Sequence, residues 1–448
     1  MNHERLETYQ RCLKGNKHLA LGSNYVEQSV ADTFEADAWL VLAPALHSFV
    51  IWTLQQATKD GVKRLYFLAR DGYLMHKIAL EITEQLNLPI ECRYLYCSRY
   101  SLRTPLFHLD VEEALDYICR NSIKVNLAVI LKRTGLKKSQ REEVIRQLEL
   151  DISPEDEIPY KRLKEVRRRL SECKVFIQYL IENSKRLMPS LEAYLKQEGL
   201  LEEVEMAMVD SGWTGSTQKT LNQALLHLGR GKEIMGYYWG LYSIPAGEKW
   251  NQYCGYYFMP HKNMKEKVYF SNSLFEAIFS APHGMTLGYR LSSGRAKPFF
   301  LSVREDTVAF QKKLERIMFS YTEMLVREIE TIDDINTQET KAIHYPMLKL
   351  LMTNPTKEEV EYFGNLFFSD DVFEDEGQWI AAKFGEELRR NNILFRILIL
   401  LGIRRGRMEE SGWVEGSIVR HGVRTKSTLR QYTIYKWLRT LRARVRWK

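Results

Sequence analysis

VEMAMVDSGWTGSTQKTLNQALLHL, residues 204–228, decides how the chain is read. Val204 to Val209 alternates and then fills with apolar residues as a buried strand does, whereas Ser216 onward carries Leu221, Ala224, Leu225 and Leu228 at helical spacing. The residues between are small and polar. A strand, a tight turn and a helix N-terminus make an anion site. The first-turn N–H groups and the helix dipole favour a phosphate there, and Thr214, Ser216 and Thr217 place hydroxyls around Gly215. The same pattern also fits an ordinary strand-to-helix turn with a Ser or Thr cap.

Working outward, VKRLYFLA (62–69) reads as a buried strand, YLMHKIALEITEQL (73–86) as a helix, ECRYLYCS (91–98) as a second strand and KEIMGYYWGLYS (232–243) as another. This alternation predicts an α/β fold built on a parallel sheet. Residues 61–108 and 204–304 are expected to form its core, and residues 109–203, charged and without a convincing strand, a helical insertion. Residues 1–60 read as a helical cover over a sheet edge, with the apolar passage AWLVLAPALHSFVIWTLQQA interrupted at Pro44. Residues 305–425 read as a mostly helical C-terminal domain and 426–448 as a basic amphipathic helix.

At 448 residues and 45% hydrophobic, the chain is long enough to bury a large core. Its six cysteines form no C-x-x-C pair, so neither a zinc site nor a disulfide framework is indicated, and a reducing cytoplasm fits. The N-terminus lacks the apolar core of a signal peptide, and no run is expected to approach the roughly 18 apolar residues of a spanning helix. Charge is unevenly distributed. Residues 389–448 hold 16 Lys or Arg against 3 Glu, while residues 1–388 hold 49 against 54. In the last stretch Ile434, Leu438, Leu441 and Val445 share a helical face with Trp437 beside it, and Lys436, Arg439, Arg442 and Arg446 lie across it or at its flanks. That suits an interfacial helix on an anionic membrane, or a helix packed on the body with a solvated basic face. Nucleic acid is the weaker option, because no binding motif accompanies the charge.

Three loops are expected at the C-terminal ends of parallel strands, where open α/β sheets bind ligands. They are Ala69-Arg70-Asp71-Gly72, Ser98-Arg99-Tyr100-Ser101 and the stretch from Asp210, Ser211, Gly212 and Trp213 to Thr217. Two cationic loops and a phosphate cradle suggest a ligand with two separated anionic groups. Their order resembles type I phosphoribosyltransferases, which implies a phosphoribosyltransferase-like sheet. The first loop looks like that family's pyrophosphate loop, which often holds a strained non-proline cis peptide, and the D-x-x-x-T-G-x-T spacing looks like its signature for 5-phosphoribosyl diphosphate (PRPP). FLARDGY, YLYCSRYSL, DSGWTGSTQ and FEAIFSAPHGMTLGY together resemble a bacterial surface-polysaccharide family. That family is commonly labelled haloacid-dehalogenase-type hydrolase because many members are fused to such a phosphatase. No D-x-D-x-[TV] phosphatase motif is present in this sequence.

The resemblance implies a transferase that moves 5-phosphoribofuranose from PRPP onto a lipid-linked glycan of an O-antigen or capsule. A separate phosphatase would then act on the product. It implies a cytoplasmic enzyme, peripheral on the inner face of the cytoplasmic membrane, with Mg²⁺ as cofactor and no nucleic-acid partner. By position, Thr214, Gly215, Ser216 and Thr217 would hold the 5-phosphate and Asp210 the ribose hydroxyls, with Ser98, Ser211, Gly212 and Trp213 completing the pocket. Arg70, Asp71, Gly72 and Arg99 would surround the magnesium-bound diphosphate, and Arg103 would extend the site. Asp71 would touch magnesium or cap the following helix. The attacking hydroxyl benefits from a base, for which Glu276 and His283 are the candidates. Two positions depart from the pattern. Val209 replaces the first of two adjacent acidic residues, and Trp213 stands where several base-transferring members have a catalytic Asp. The first departure supports an alternative, a non-catalytic PRPP sensor or interaction protein of the same fold.

Overall fold

The computed structural model describes residues 3–28, 32–120, 125–368, 377–383, 393–401, 403 and 411–446. Five strands pair in parallel: β1 (Arg64–Leu68), β2 (Glu91–Leu95), β3 (Met206–Trp213), β4 (Met235–Leu241) and β5 (Tyr253–Phe258). The chain is therefore mixed α/β around a parallel sheet, in the order β2-β1-β3-β4-β5. In this order the chain departs from β1 to one side with β2 and returns to its other side with β3. The point between β1 and β3 is where connections leave the sheet in opposite directions, opening a crevice at the strand ends.

Two sequence expectations change here. β3 does not end at Val209 but continues through Trp213, with Gly212 paired to Gly240 and Trp213 to Leu241. The N-terminal helices cover a sheet face rather than an edge. Phe49 and Trp52 of the helix Ala43–Lys59 meet Trp239 and Tyr237 of β4, at ring separations of 5.6 and 6.1 Å. Tyr238 points to the opposite face, where it donates to Gln218 Oε1 at 2.6 Å. Alternation along β4 thus joins two hydrophobic layers through one strand.

Pro44 does not interrupt its helix. The segment is continuous from Thr33 to Lys59, and a π-helical turn at Ala38–Leu42 precedes the proline. Pro44 stands at the start of the α-helix proper, where its missing N–H is tolerated. This one segment is long and apolar enough to cross a membrane, contrary to the sequence expectation, but its apolar window is wholly buried inside the protein. A helix that is apolar on all sides and surrounded by protein is a core element.

Between β2 and β3 the described residues are helical. A hydrophobic cluster running from Phe107 to Leu180 packs these helices together. After β5 come the short helices Met264–Tyr269 and Asn272–Phe279, then an antiparallel hairpin of β6 (Thr286–Ser292) and β7 (Arg295–Phe300). The long helices Glu305–Glu328 and Thr337–Thr353 add to the layer holding the N-terminal helices.

The C-terminal helix Thr425–Arg446 has two apolar faces. Leu429, Tyr432 and Tyr435 are buried, and buried Lys436 pairs with Glu415 at 2.8 Å, so Lys436 does not belong to the expected outward cationic set. Ile434, Leu438 and Leu441 stay exposed, as do Leu394 of the neighbouring helix Ile393–Leu400 and Leu401 and Ile403 beyond it. The side chains of Val445 and Arg446 lie outside the described residues.

Candidate functional site

The crevice at the strand ends is a cavity of about 440 Å³. Its first wall is the turn after β1. The Ala69–Arg70 peptide is cis. Ala69 N–H donates to Leu95 O at 3.0 Å, which ties the turn to β2 before the helix Gly72–Gln85 begins. Arg70 and Asp71 line the cavity; Gly72 is buried behind them as the first residue of that helix. Asp71 makes no side-chain cap to the helix. Its Oδ2 instead accepts from the Ser211 hydroxyl, joining the turn to β3.

The second wall follows β2. Ser98 caps the helix Arg99–Arg103, its Oγ accepting from Ser101 N–H at 3.0 Å and donating to Thr286 O at 2.7 Å. Ser98 therefore lines the cavity with a hydroxyl already engaged, while Arg99 presents an exposed cation.

The third wall is the end of β3 and the helix Ser216–His227. Gly215 is the N-cap residue, at φ +63°, and among the described residues no side chain caps this helix. A β-carbon at Gly215 would lie 2.6 Å from the Tyr253 ring, so both conformation and space require glycine. The helix N-terminus is thus left to Thr214, Ser216 and Thr217, all of which line the cavity. The reading as a Ser- or Thr-capped turn does not hold, because the cap position is a glycine.

Asp210, Ser211, Gly212 and Trp213 form the floor, and Glu276 comes in from the helix Asn272–Phe279. Trp213 adopts φ +73°, a left-handed conformation that is uncommon for a bulky residue and marks sites where structure is imposed. Its indole N–H donates to Glu276 Oε1 at 2.5 Å. Asp71, Asp210 and Glu276 lie close enough to repel one another. Enclosure raises the Asp210 carboxyl to about 8, with repulsion from Asp71 adding to it and Arg99 opposing. Glu276 is pushed to about 7 by the same two causes in the same order, again opposed by Arg99. Asp71 is raised by enclosure, against the Ser211 hydrogen bond and the charges of Arg70 and Arg99.

Two expected residues lie elsewhere. Arg103 sits one helical turn beyond Arg99, on the side facing the insertion, with its guanidinium 4.7 Å from the Tyr117 ring centre. His283 is not among the lining residues. Its Nε2 is 2.8 Å from the Tyr94 hydroxyl and its Nδ1 is 2.9 Å from Gly284 O, so both ring nitrogens are engaged. Of the two candidate bases, only Glu276 lines the cavity. The sequence reading also missed Arg120, Asn272 and Arg304, which line it from the insertion, the helix bearing Glu276 and the segment after β7. No local motif marks them. Among the described residues no group of three or more His, Cys, Asp or Glu is arranged to hold a metal ion.

Compared with known families and curated proteins, the chain matches no family model and no curated sequence.

The acidic cluster makes the fold less stable as pH rises toward about 8. Asp210 is raised from its ordinary 3.8 to about 8, so between these values the folded state holds a proton that the unfolded state has lost. Its stabilising contribution is complete below the unfolded value and is lost as pH rises through about 8. Asp210→Asn is expected to melt above the wild type at pH ~9 and close to it at pH ~5. Equal differences at the two pH values would show that Asp210 is not the group responsible.

Proposed function

We propose that the chain is a glycosyltransferase that moves 5-phosphoribofuranose from PRPP to a sugar hydroxyl of a lipid-linked polysaccharide and releases pyrophosphate. A phosphoribosyltransferase-like reading of the sheet goes with it. The observation that carries the proposal is the meeting of three sequence-distant loops in one cavity, Arg70 and Arg99 coming from the loops after β1 and β2 and Thr214, Ser216 and Thr217 from the loop after β3. Those groups suit a sugar that bears both a phosphate and a diphosphate.

In this reading the N-terminus of the helix Ser216–His227, with Thr214, Ser216 and Thr217, holds the 5-phosphate, which stays unchanged in the reaction. Asp210 takes the ribose hydroxyls. Arg70 and Arg99 face the diphosphate, on which negative charge grows as the anomeric C1–O bond breaks, so their attraction is greater in the transition state than before it. Glu276 takes the proton of the acceptor hydroxyl while its oxygen bonds to C1 and pyrophosphate leaves with the electron pair. Trp213 orients the carboxylate through its indole N–H.

Mg²⁺ would be held mainly by the diphosphate, since among the described residues no group of three or more His, Cys, Asp or Glu is arranged to hold it. Asp71 is the group that would touch it. Enclosure raises all three carboxyls, and repulsion from Asp71 adds to it at Asp210 and Glu276, which fits a site relieved by a cation. When bound, the ion neutralises charge on the leaving group.

The partly exposed apolar face of the C-terminal helix supports docking on the inner face of an anionic membrane, where a lipid-linked acceptor resides. Ile434, Leu438 and Leu441 would enter the interface, with Arg439 beside them. Substituting all three apolar residues with Ser is expected to abolish flotation with phosphatidylglycerol vesicles at low salt. Unchanged flotation would remove this helix from the interface.

Turnover tests the base. With donor, Mg²⁺ and a panel of lipid-linked or synthetic glycans, kcat/KM for pyrophosphate release is expected to rise with pH through about 7, as Glu276 loses its proton. Glu276→Gln is expected to flatten that limb and lower kcat on the order of 10² to 10⁴-fold, with donor affinity little changed. A variant that keeps the limb and the rate would exclude Glu276 as the base.

A further inference from the structure

Beyond Trp213 and Thr214 lies a second cavity of about 450 Å³. Trp213, Thr214 and Asn272 line both cavities, so the two spaces adjoin at these residues. The second space has a different chemistry. Tyr242, Trp250 and Phe270 give it aromatic walls, and Lys262, Lys267, Lys436 and Arg439 add cationic side chains, of which Lys267 donates to Pro260 O and Lys436 pairs with Glu415 at 2.8 Å. No Asp or Glu is among the lining residues.

Trp250 is notable for its exposure. At 51% relative exposure it contributes little to the core, and its ring centre lies 4.9 Å from that of His261 at the cavity edge. A large exposed indole in a cavity that cationic side chains also line is a suitable platform for a sugar. The C–H face of a pyranose packs on the ring, while an anionic substituent meets the positive charge.

We propose that this cavity is the acceptor subsite, holding a pyranose that carries an anionic group, with the ring against Trp250 and the anion toward Lys262 and Arg439. The inference rests on the donor reading above, because it places the acceptor in the space adjoining the cavity lined by Glu276, which the Trp213 indole holds. Arg439 comes from the C-terminal helix, so the same helix would bear both the exposed apolar face and one wall of the acceptor site. The anion has two possible sources, the phosphate of a lipid carrier or the carboxylate of an acidic sugar.

The test uses the full chain and three probes, glucose 1-phosphate, glucuronic acid and methyl glucopyranoside, observed by saturation-transfer NMR, with PRPP binding measured separately by calorimetry. At least one anionic sugar is expected to bind on the order of tenfold more tightly than the neutral one, and Lys262→Ala is expected to erase that preference. Trp250→Ala is expected to weaken binding by up to about tenfold while leaving the melting temperature and PRPP affinity at wild-type values. Preference for glucose 1-phosphate assigns the anion to a phosphate, and preference for glucuronic acid assigns it to a carboxylate. Equal binding of all three probes, no binding, or binding indifferent to Trp250→Ala overturns the proposal. PRPP binding without any sugar signal removes the acceptor subsite alone. Sugar binding through Trp250 without PRPP binding keeps a sugar site and removes the donor reading.

Discussion

The site depends on a close backbone contact between β3 and β4. A β-carbon at Gly212 would lie 2.4 Å from the Gly240 carbonyl oxygen, and Gly212 adopts φ +109°, so no other residue fits there without displacing a strand. This contact lets β3 run on past its apolar core. It carries Asp210 and Ser211 to the cavity floor and sets Trp213 in a left-handed conformation. From there the indole reaches Glu276 and borders both cavities. Ser211 also ties β3 to the turn after β1 through Asp71.

The same geometry concentrates charge. Three carboxyls share a cavity with Arg70 and Arg99, and enclosure outweighs the arginines, leaving Asp210 near 8 and Glu276 near 7. Such a cluster weakens the fold at high pH, but it sets a carboxylate near neutrality, where a base is effective.

The sheet was legible because β1, β3 and β4 contain apolar runs bounded by turn residues, and the loops that follow β1, β2 and β3 line the cavity as their order suggested. What the sequence could not show depends on partners distant in the chain. Arg103 looks like an extension of the Arg99 loop until Tyr117, from the insertion, is placed beneath it. His283 looks like a base until Tyr94 and the Gly284 carbonyl engage both its nitrogens. The glycine and tryptophan at 212 and 213 read as a loop, since only the facing Gly240 makes room for the strand to continue. The C-terminal helix was read as having one apolar face, and the tertiary structure divides it into a buried face and an exposed one.

The claim that these loops form one PRPP site is tested most directly by calorimetric titration of PRPP with Mg²⁺ into the wild type, Thr217→Val and Arg99→Ala. The account predicts one PRPP per chain, with each substitution weakening binding on the order of tenfold, because one removes a contact to the 5-phosphate and the other a charge facing the diphosphate. Absence of binding, or binding that ignores either substitution, would contradict it.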